Sequence, residues 1–113
     1  MVLNAGKLRE LVTIERPERT SNQSGGYSTK YVKVLSTYAS VREIQPSADV
    51  IASQENTISL TEFIIRYRPE YNLKIGYRIV WRDFNFTLNR FKVDPARTAI
   101  IITANSEIEE TER

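Results

Sequence analysis

The sequence is 113 residues long, with 41% hydrophobic residues, 27% charged residues and a formal net charge of +2. This length is typical of one domain with a small core, and no apolar run approaches the ~18 residues needed to cross a membrane. The sequence has no cysteine and no histidine, which excludes disulfides and thiol nucleophiles and removes the commonest general base and metal ligand. We therefore expect a single domain over residues 1–113, with no enzymatic activity, no cofactor and no metal site.

Charge is distributed unevenly along the chain. Residues 1–42 and 66–97 are basic, whereas residues 43–65 contain four acids and no base, and residues 98–113 contain four acids and one base. This alternation suggests surfaces of opposite sign more than one continuous nucleic-acid footprint, although ordinary solvent-facing charge explains it equally well. Residues 1–5 are too short an apolar run for a signal peptide, so we expect the protein to act, or to be assembled, inside a cell.

The first predicted elements are two strands joined by a polar loop. Residues 3–10 could form a short helical turn, which Gly6 weakens. Residues 11–16 alternate as a strand that Pro17 is expected to end, and residues 18–26 form a loop with its turn at 22–26. Residues 27–44 are rich in β formers but too long for one flat strand, so we expect a bend or bulge at Ser36 and Thr37.

Residues 45–56 (QPSADVIASQEN) interrupt the strand pattern. Pro46 lies near the start of the segment, and small and polar side chains surround a short apolar centre. One helical turn capped by Ser47 and a long irregular loop fit the segment equally well. A long loop in a compact domain is often functional.

The clearest strand of the chain follows, at residues 61–69 (TEFIIRYRP). Phe63, Ile65 and Tyr67 share one face at a period of two. Pro69 lacks a ladder donor and is expected to end the strand. The apolar face of this strand needs partners, and the remaining strands are expected to cover it.

Three further strands are predicted near the C-terminus. Residues 77–82 and 85–93 form a hairpin with its turn at Asp83 and Phe84, and a bulge near residues 89–90 keeps the apolar residues of the second strand in phase. After a turn at Asp94 and Pro95, residues 98–104 are apolar on both faces, which indicates a central or covered strand. Residues 106–113 are expected to be a flexible acidic tail.

About six strands, short turns and little helix predict an all-β fold, either a small antiparallel β-barrel or a sandwich. One long loop or short helical turn separates the second and third main strands. The predicted core consists of Phe63, Ile65, Tyr67, Ile79, Trp81, Phe86, Ile100 and Ile102.

Two functional interpretations come from the residues alone. Aromatic and basic side chains interleave over residues 66–68 and 77–86, a pattern that can bind single-stranded nucleic acid by stacking and phosphate contacts. Core packing explains the same aromatics better, because they fall on the face opposite the arginines. Glu43, Asp49, Glu55 and Glu62 could serve a cryptic carboxylate enzyme, but solvated loop acids are the simpler interpretation. The residues themselves therefore indicate a non-catalytic interaction domain.

A family resemblance goes further. Four segments carry it: the opening GKLRELVTIERP (residues 6–17), the turn and strand SGGYSTKY (24–31), the strand ending IRYRP (65–69) and, about ten residues later, RIV (78–80). In this order they resemble bacteriophage head–tail joining proteins, also called head-completion or stopper proteins. The sequence departs from the family pattern in two places. It has tyrosine near residue 31, where the family commonly has tryptophan, and its hairpin turn lacks the usual glycine.

The resemblance implies a small β-barrel that assembles as a ring, with twelve copies as the typical number. The ring would dock beneath the portal–adaptor assembly, close the DNA channel after packaging, offer a surface to the tail or tail-completion protein, and open for ejection. Double-stranded DNA would pass through it without sequence readout, and no membrane partner is implied. A tail-completion ring on the tail side of the joint remains an alternative.

Carried over by position, the channel-facing loop is residues 45–58. Its candidate residues are Gln45, Ser47, Asp49, Ser53, Gln54, Glu55 and Asn56. Acids and small polar groups bind no phosphates, so the duplex could slide past such a loop. The candidate contacts with neighbouring subunits or rings are Val2, Leu3, Val50, Ile51, Arg66, Arg68 and Arg78.

Overall fold

A computed structural model describes residues 7–21, 23, 25–44 and 60–107. These residues form six strands: β1 Glu10–Ser21, β2 Tyr27–Ile44, β3 Leu60–Arg66, β4 Arg78–Trp81, β5 Phe84–Val93 and β6 Ala99–Ser106. All neighbouring strands are antiparallel in the order β1-β2-β3-β6-β5-β4, and the pairing of β1 with β4 closes the sheet. The predicted all-β barrel is confirmed. Within the same ranges, no helix has the length and apolar character to span a membrane.

The core lies inside the barrel and is centred on Phe63. This side chain is fully buried, and the rings of Trp81 and Phe86 meet it edge-on at centroid distances of 6.1 and 5.2 Å. Of the eight predicted core residues, Phe63, Ile65, Ile79, Phe86, Ile100 and Ile102 are buried. Tyr67 and Trp81 are only partly buried and pack against the core from its edge.

The prediction that Pro17 ends the first strand is wrong. β1 continues to Ser21, and Pro17 is paired with Tyr31 of β2. Proline is tolerated here because β4 pairs with β1 only as far as Glu15, which leaves one side of β1 without a described neighbour at Pro17. A missing backbone donor therefore removes no ladder bond on that side.

The long second strand is relieved by a bulge, but not where the sequence suggested. Ile14 pairs with Leu35 and Glu15 pairs with Lys33, so Val34 is the extra residue. The expected bend at Ser36 and Thr37 is thus misplaced by two or three residues.

The predicted bulge in β5 is confirmed. Leu88 pairs with Ala104 and Arg90 with Thr103, which leaves Asn89 as the extra residue. The bulge keeps Phe86 and Leu88 facing the core, and the amide of Asn89 donates a 2.6 Å hydrogen bond to Asn105 across the ladder.

The hairpin turn between β4 and β5 lies one residue earlier than predicted. Arg82 and Asp83 form it, and Phe84 already pairs with Trp81. Arg82 adopts a φ of 55°, a conformation for which glycine is preferred in hairpin turns. The sequence offers no glycine there, which is why the turn was misplaced.

The turn between β5 and β6 is built around Asp94, which is buried. Its carboxylate accepts hydrogen bonds from the backbone N–H groups of Thr98 and Ala99, at 2.7 and 3.1 Å, and from the Thr98 hydroxyl at 2.8 Å. β6 then continues through Ser106, and Glu107 bonds to Arg78 and Thr87. The described chain is therefore ordered two residues into the predicted tail, and residues 108–113 lie outside the description.

Antiparallel pairing gives the barrel two distinct poles. At one pole, called the loop pole, β1 and β5 begin and β2 and β4 end, and the paired residues Ile44 and Leu60 mark the two ends of the β2–β3 connection. At the other, called the arm pole, β3 ends at Arg66 and β4 begins at Arg78. Beyond the arm pole, residues 16–21 of β1 and 27–32 of β2 pair only with each other among the described strands, and Lys33 joins them to the barrel through its pairing with Glu15. This two-stranded extension is called the arm.

Candidate interaction surfaces

Most of the predicted site residues lie outside the described part of the chain. These are the loop residues Gln45, Ser47, Asp49, Ser53, Gln54, Glu55 and Asn56 and the contact residues Val2, Leu3, Val50 and Ile51. What the structure adds is their point of attachment, because Ile44 and Leu60 are neighbours at the loop pole. The assignment of residues 45–58 as a channel loop stays a prediction.

Arg66 and Arg68 are exposed at the arm pole, where β3 ends. With Leu8, Thr37 and Tyr38 they line a cleft of about 270 Å³ on the outside of the barrel. No ion pair joins either guanidinium to an acid among the described residues. Both can therefore reach an acidic group on another molecule, as a contact residue must.

Arg78 is held within the subunit. Its guanidinium lies 3.5 Å from the centre of the Tyr31 ring, 3.3 Å from the carboxylate of Glu107 and 4.0 Å from that of Glu15. Its side chain is only 24% exposed. The contact with Tyr31 fixes the base of the arm against β4, so the structure gives Arg78 an internal role while its predicted role in contacts between subunits remains untested.

Trp81 is also engaged internally. Its indole N–H donates a 2.9 Å hydrogen bond to Glu10, and Arg82 donates a second one at 3.1 Å to the same oxygen. The Trp81 bond, followed by the bond and charge of Arg82, lowers the pKa of Glu10 against the opposing effect of desolvation. Because the indole packs on the core and bonds to a carboxylate, it is poorly placed to stack on a nucleic-acid base, as the single-strand-binding interpretation requires.

At the loop pole acids outnumber bases. Its described charged residues are five acids and four bases: Glu10, Glu43, Glu62, Asp83 and Glu107, with Lys7, Arg9, Arg42 and Arg82. Glu43 and Asp83 are exposed and have no ion-pair partner among the described residues. The sequence stretches attached at this pole, 45–59 and 108–113, contain five acids and one base, which adds to the negative sign.

The loop pole also has an apolar opening. A cavity of about 500 Å³ is lined there by Val41, Glu43, Thr61, Trp81, Phe84, Phe86, Ser106 and Glu107. Phe84 is 61% exposed at its edge. The pole therefore combines acidic groups with a recess that accepts an apolar or aromatic side chain.

The arm pole and the arm are basic. They carry ten bases and four acids: Arg16, Arg19, Lys30, Lys33, Arg66, Arg68, Lys74, Arg78, Lys92 and Arg97, with Glu15, Glu18, Glu70 and Asp94. No residue of the arm is buried, and Tyr27, at its tip, is 66% exposed with Arg19 stacked on its ring at 4.7 Å. The sequence interpretation missed this arm because Pro17 was expected to end the strand.

Nothing in the described residues is arranged for catalysis by a metal. No group of three or more Asp or Glu side chains is placed to hold an ion in those ranges. The pKa of Asp94 is lowered chiefly by the N–H of Ala99 and further by Thr98. Asp94 and Glu10 are thus ionised acceptors of structural hydrogen bonds, whereas a general acid needs a raised pKa.

Comparison with known proteins gives one matching family and two solved structures with a similar fold. A family model described as phage head completion protein matches residues 3–108. A Shigella flexneri 2a protein solved in solution has a TM-score of 0.69 and 23% identity, over 96% of this chain and 100% of its own. A chain from the virion of a native gene transfer agent particle has a TM-score of 0.64 and 18% identity, over 89% of this chain and 96% of its own. At these identities the likeness concerns the fold, and no curated protein matches the chain.

Proposed function

The chain belongs to the phage head completion protein family, which makes it a structural protein of the phage particle, and from this premise we propose that it forms a ring at the joint between head and tail. The match over residues 3–108 carries the proposal, because it spans the barrel, the arm and the β2–β3 connection together. A similar barrel occurs in the virion of a gene transfer agent. The ring, typically of twelve copies, lies between the portal–adaptor assembly and the tail, and the genome passes through its centre.

In this proposal residues 45–58 are the channel loop. Three observations support it: the connection is the longest in the chain, it leaves the barrel at one pole between adjacent residues Ile44 and Leu60, and it contains no base. Asp49 and Glu55 repel phosphates, and a ring of copies multiplies that repulsion. The loop closes the channel without binding DNA, so the duplex is released when the loop withdraws.

The location of the protein is tested by electron microscopy of complete particles. The proposal expects a ring of density between portal and tail into which the barrel fits, with residues 45–58 towards the axis. Density on the tail side of the joint would favour the tail-completion alternative. Density only on the capsid surface would contradict the proposed function.

The role of the loop is tested by two changes in assembled particles. Replacing Asp49 and Glu55 with lysine changes the charge by about four units per copy, and DNA should then be held by the loop, so that ejection slows more at low salt than at high salt. Replacing residues 47–56 with a short Gly-Ser link should leave folding intact but let packaged DNA leak. The control for a charge change elsewhere on the barrel is Lys74→Glu with Lys92→Glu, at exposed positions on the arm-pole side. It changes the charge by the same amount in the opposite direction and should leave ejection unchanged. Particles that keep and eject their DNA normally after both loop changes would show that this segment does not close the channel.

A further inference from the structure

The arm extends beyond the barrel without support from any described strand. Residues 16–21 and 27–32 form one antiparallel ladder in which every side chain is exposed or half-buried. With six residues in each strand, the arm projects about 20 Å from the body at ~3.4 Å per residue. Two-stranded ribbons are marginal in water because they bury too little surface. A partner surface would supply the burial that the arm lacks.

The chemistry of the arm indicates what that surface contains. Arg16, Arg19, Lys30 and Lys33 give it a positive charge, and its single acid, Glu18, is paired with Arg16 at 3.1 Å. The exposed ring of Tyr27 lies at the tip. A fitting partner therefore presents acids around an apolar recess. A DNA duplex offers negative charge, but its stacked bases leave no open apolar recess for the Tyr27 ring.

The loop pole of the same chain has both features. Glu43 and Asp83 are exposed there without a described ion-pair partner, and the recess of about 500 Å³ opens beside Phe84. The arm and the recess lie at opposite poles of one barrel, so the arm of one molecule can reach the recess of another. We propose that the arm of one copy docks tip-first on the loop pole of the next, with Tyr27 entering the recess and Lys30, near the tip, facing Glu43 and Asp83, while Lys33 at the base of the arm adds to its positive potential.

Such a contact is heterologous, because it joins two different surfaces of identical chains. Heterologous contacts repeat head to tail and close into a ring when the rotation between copies permits. The inference rests on the proposed ring for its setting and specifies which surfaces of adjacent copies meet. Since the contact is mainly electrostatic, it should be weak in free protein and sensitive to salt.

Charge reversal tests the contact in the purified full-length chain. The arm variant is Lys30→Glu with Lys33→Glu, the pole variant is Glu43→Lys with Asp83→Lys, and all four side chains are exposed. Sedimentation velocity at about 50 mM and about 500 mM salt should show self-association of the unmodified protein at low salt only. Each variant alone should lose at least about tenfold in association constant, because its modified surface then repels the unmodified one. An equimolar mixture of the two variants should recover association, since every arm–pole contact between them again joins opposite charges.

The charge control is again Lys74→Glu with Lys92→Glu, which changes the net charge by the same amount as the arm variant. It should alter the association constant less than about twofold. A loss as large as that of the arm variant would attribute the effect to net charge and overturn the proposal. Arm and pole variants that associate as well as the unmodified protein would overturn the proposal too. So would an arm variant that still self-associates normally but no longer binds a DNA duplex, because the partner of the arm would then be DNA.

A second measurement tests the aromatic part of the contact. The chain has no cysteine, so Tyr27→Cys and Phe84→Cys each introduce one unique thiol. A mixture of these two variants under mild oxidation should form a mixed disulfide dimer at low salt faster than either variant dimerises alone. Equal rates in all three samples would contradict docking of the arm at the recess. The absence of the protein from the neck of the particle, with this contact intact in solution, would instead refute the proposed function and leave the contact standing.

Discussion

Replacement of Phe63 tests whether the closed barrel depends on one aromatic cluster. Phe63 is 0% exposed and lies in β3, and the rings of Trp81 and Phe86 reach it from β4 and β5. The cluster therefore joins strands on opposite sides of the sheet order, across the barrel interior. Any change here acts on the closure of the barrel as well as on local packing.

The expected magnitude follows from this burial. Phe63→Ala removes a fully buried ring and leaves a cavity, which lowers the free energy of unfolding by about 3–5 kcal/mol. Phe63→Leu retains most of the apolar volume but removes two edge-to-face ring contacts, so its loss is about 1–3 kcal/mol. Each kcal/mol corresponds to about 4–8 °C in Tm for a domain near this size. A small domain with about 5–15 kcal/mol in total is left close to unfolding by the alanine variant.

Urea unfolding followed by tryptophan fluorescence is a direct assay, because the only tryptophan of the chain, Trp81, lies 6.1 Å from the Phe63 ring. The matched control is Phe84→Ala, an aromatic that is 61% exposed and should cost less than about 0.5 kcal/mol. Losses that are equal at Phe63 and Phe84 would refute the reasoning that the cluster closes the barrel.

Three further predictions concern the turns. Asp94→Asn should lower Tm at pH 7, because hydrogen bonds from Ala99 and Thr98 hold the folded-state pKa of Asp94 below its ordinary 3.8. This contribution is present above 3.8 and is lost as the pH falls through the folded pKa, so the difference in Tm between unmodified and variant proteins should shrink as the pH is lowered below 3.8. Gly76→Ala should lower the free energy of unfolding by about 1–2 kcal/mol, because Gly76 has a φ of 98° with open space around it and only the backbone is strained. Arg97→Gly, at a φ of 58°, should do the reverse by up to about 1 kcal/mol in the same urea experiment, and a destabilised Arg97→Gly would show that the side chain matters more than its backbone strain.

The strands could be predicted from the sequence wherever burial alternates along them. Phe63 and Ile65 in β3 and Phe86 and Leu88 in β5 follow the period of two, and the change of phase after Leu88 was enough to predict the bulge at Asn89. In these strands local pattern and tertiary environment agree. The barrel could therefore be predicted as a class of fold.

The errors arise where a distant residue decides the outcome. Pro17 looks like the end of a strand, and it is accommodated only because β4 stops pairing with β1 at Glu15, a fact that no local window contains. The arm has the same origin, since its length is set by the points at which β3 and β4 stop following β1 and β2. The internal role of Arg78 was equally hidden, because Tyr31 and Glu107 reach it from other strands.

The alternation of charge along the sequence acquires a physical meaning in the barrel. Antiparallel strands return the chain to the same pole at every second connection, so Glu43 and Glu62, on either side of the β2–β3 connection, lie at the loop pole, and the end of β3 places Arg66 and Arg68 at the arm pole. The fold thus converts a pattern in one dimension into a molecule with one acidic and one basic end. Head-to-tail contacts between such ends favour copies that all point the same way, because reversed neighbours would bring like charges together. A ring whose copies share one direction has two different faces, and a joint between two different partners requires that property.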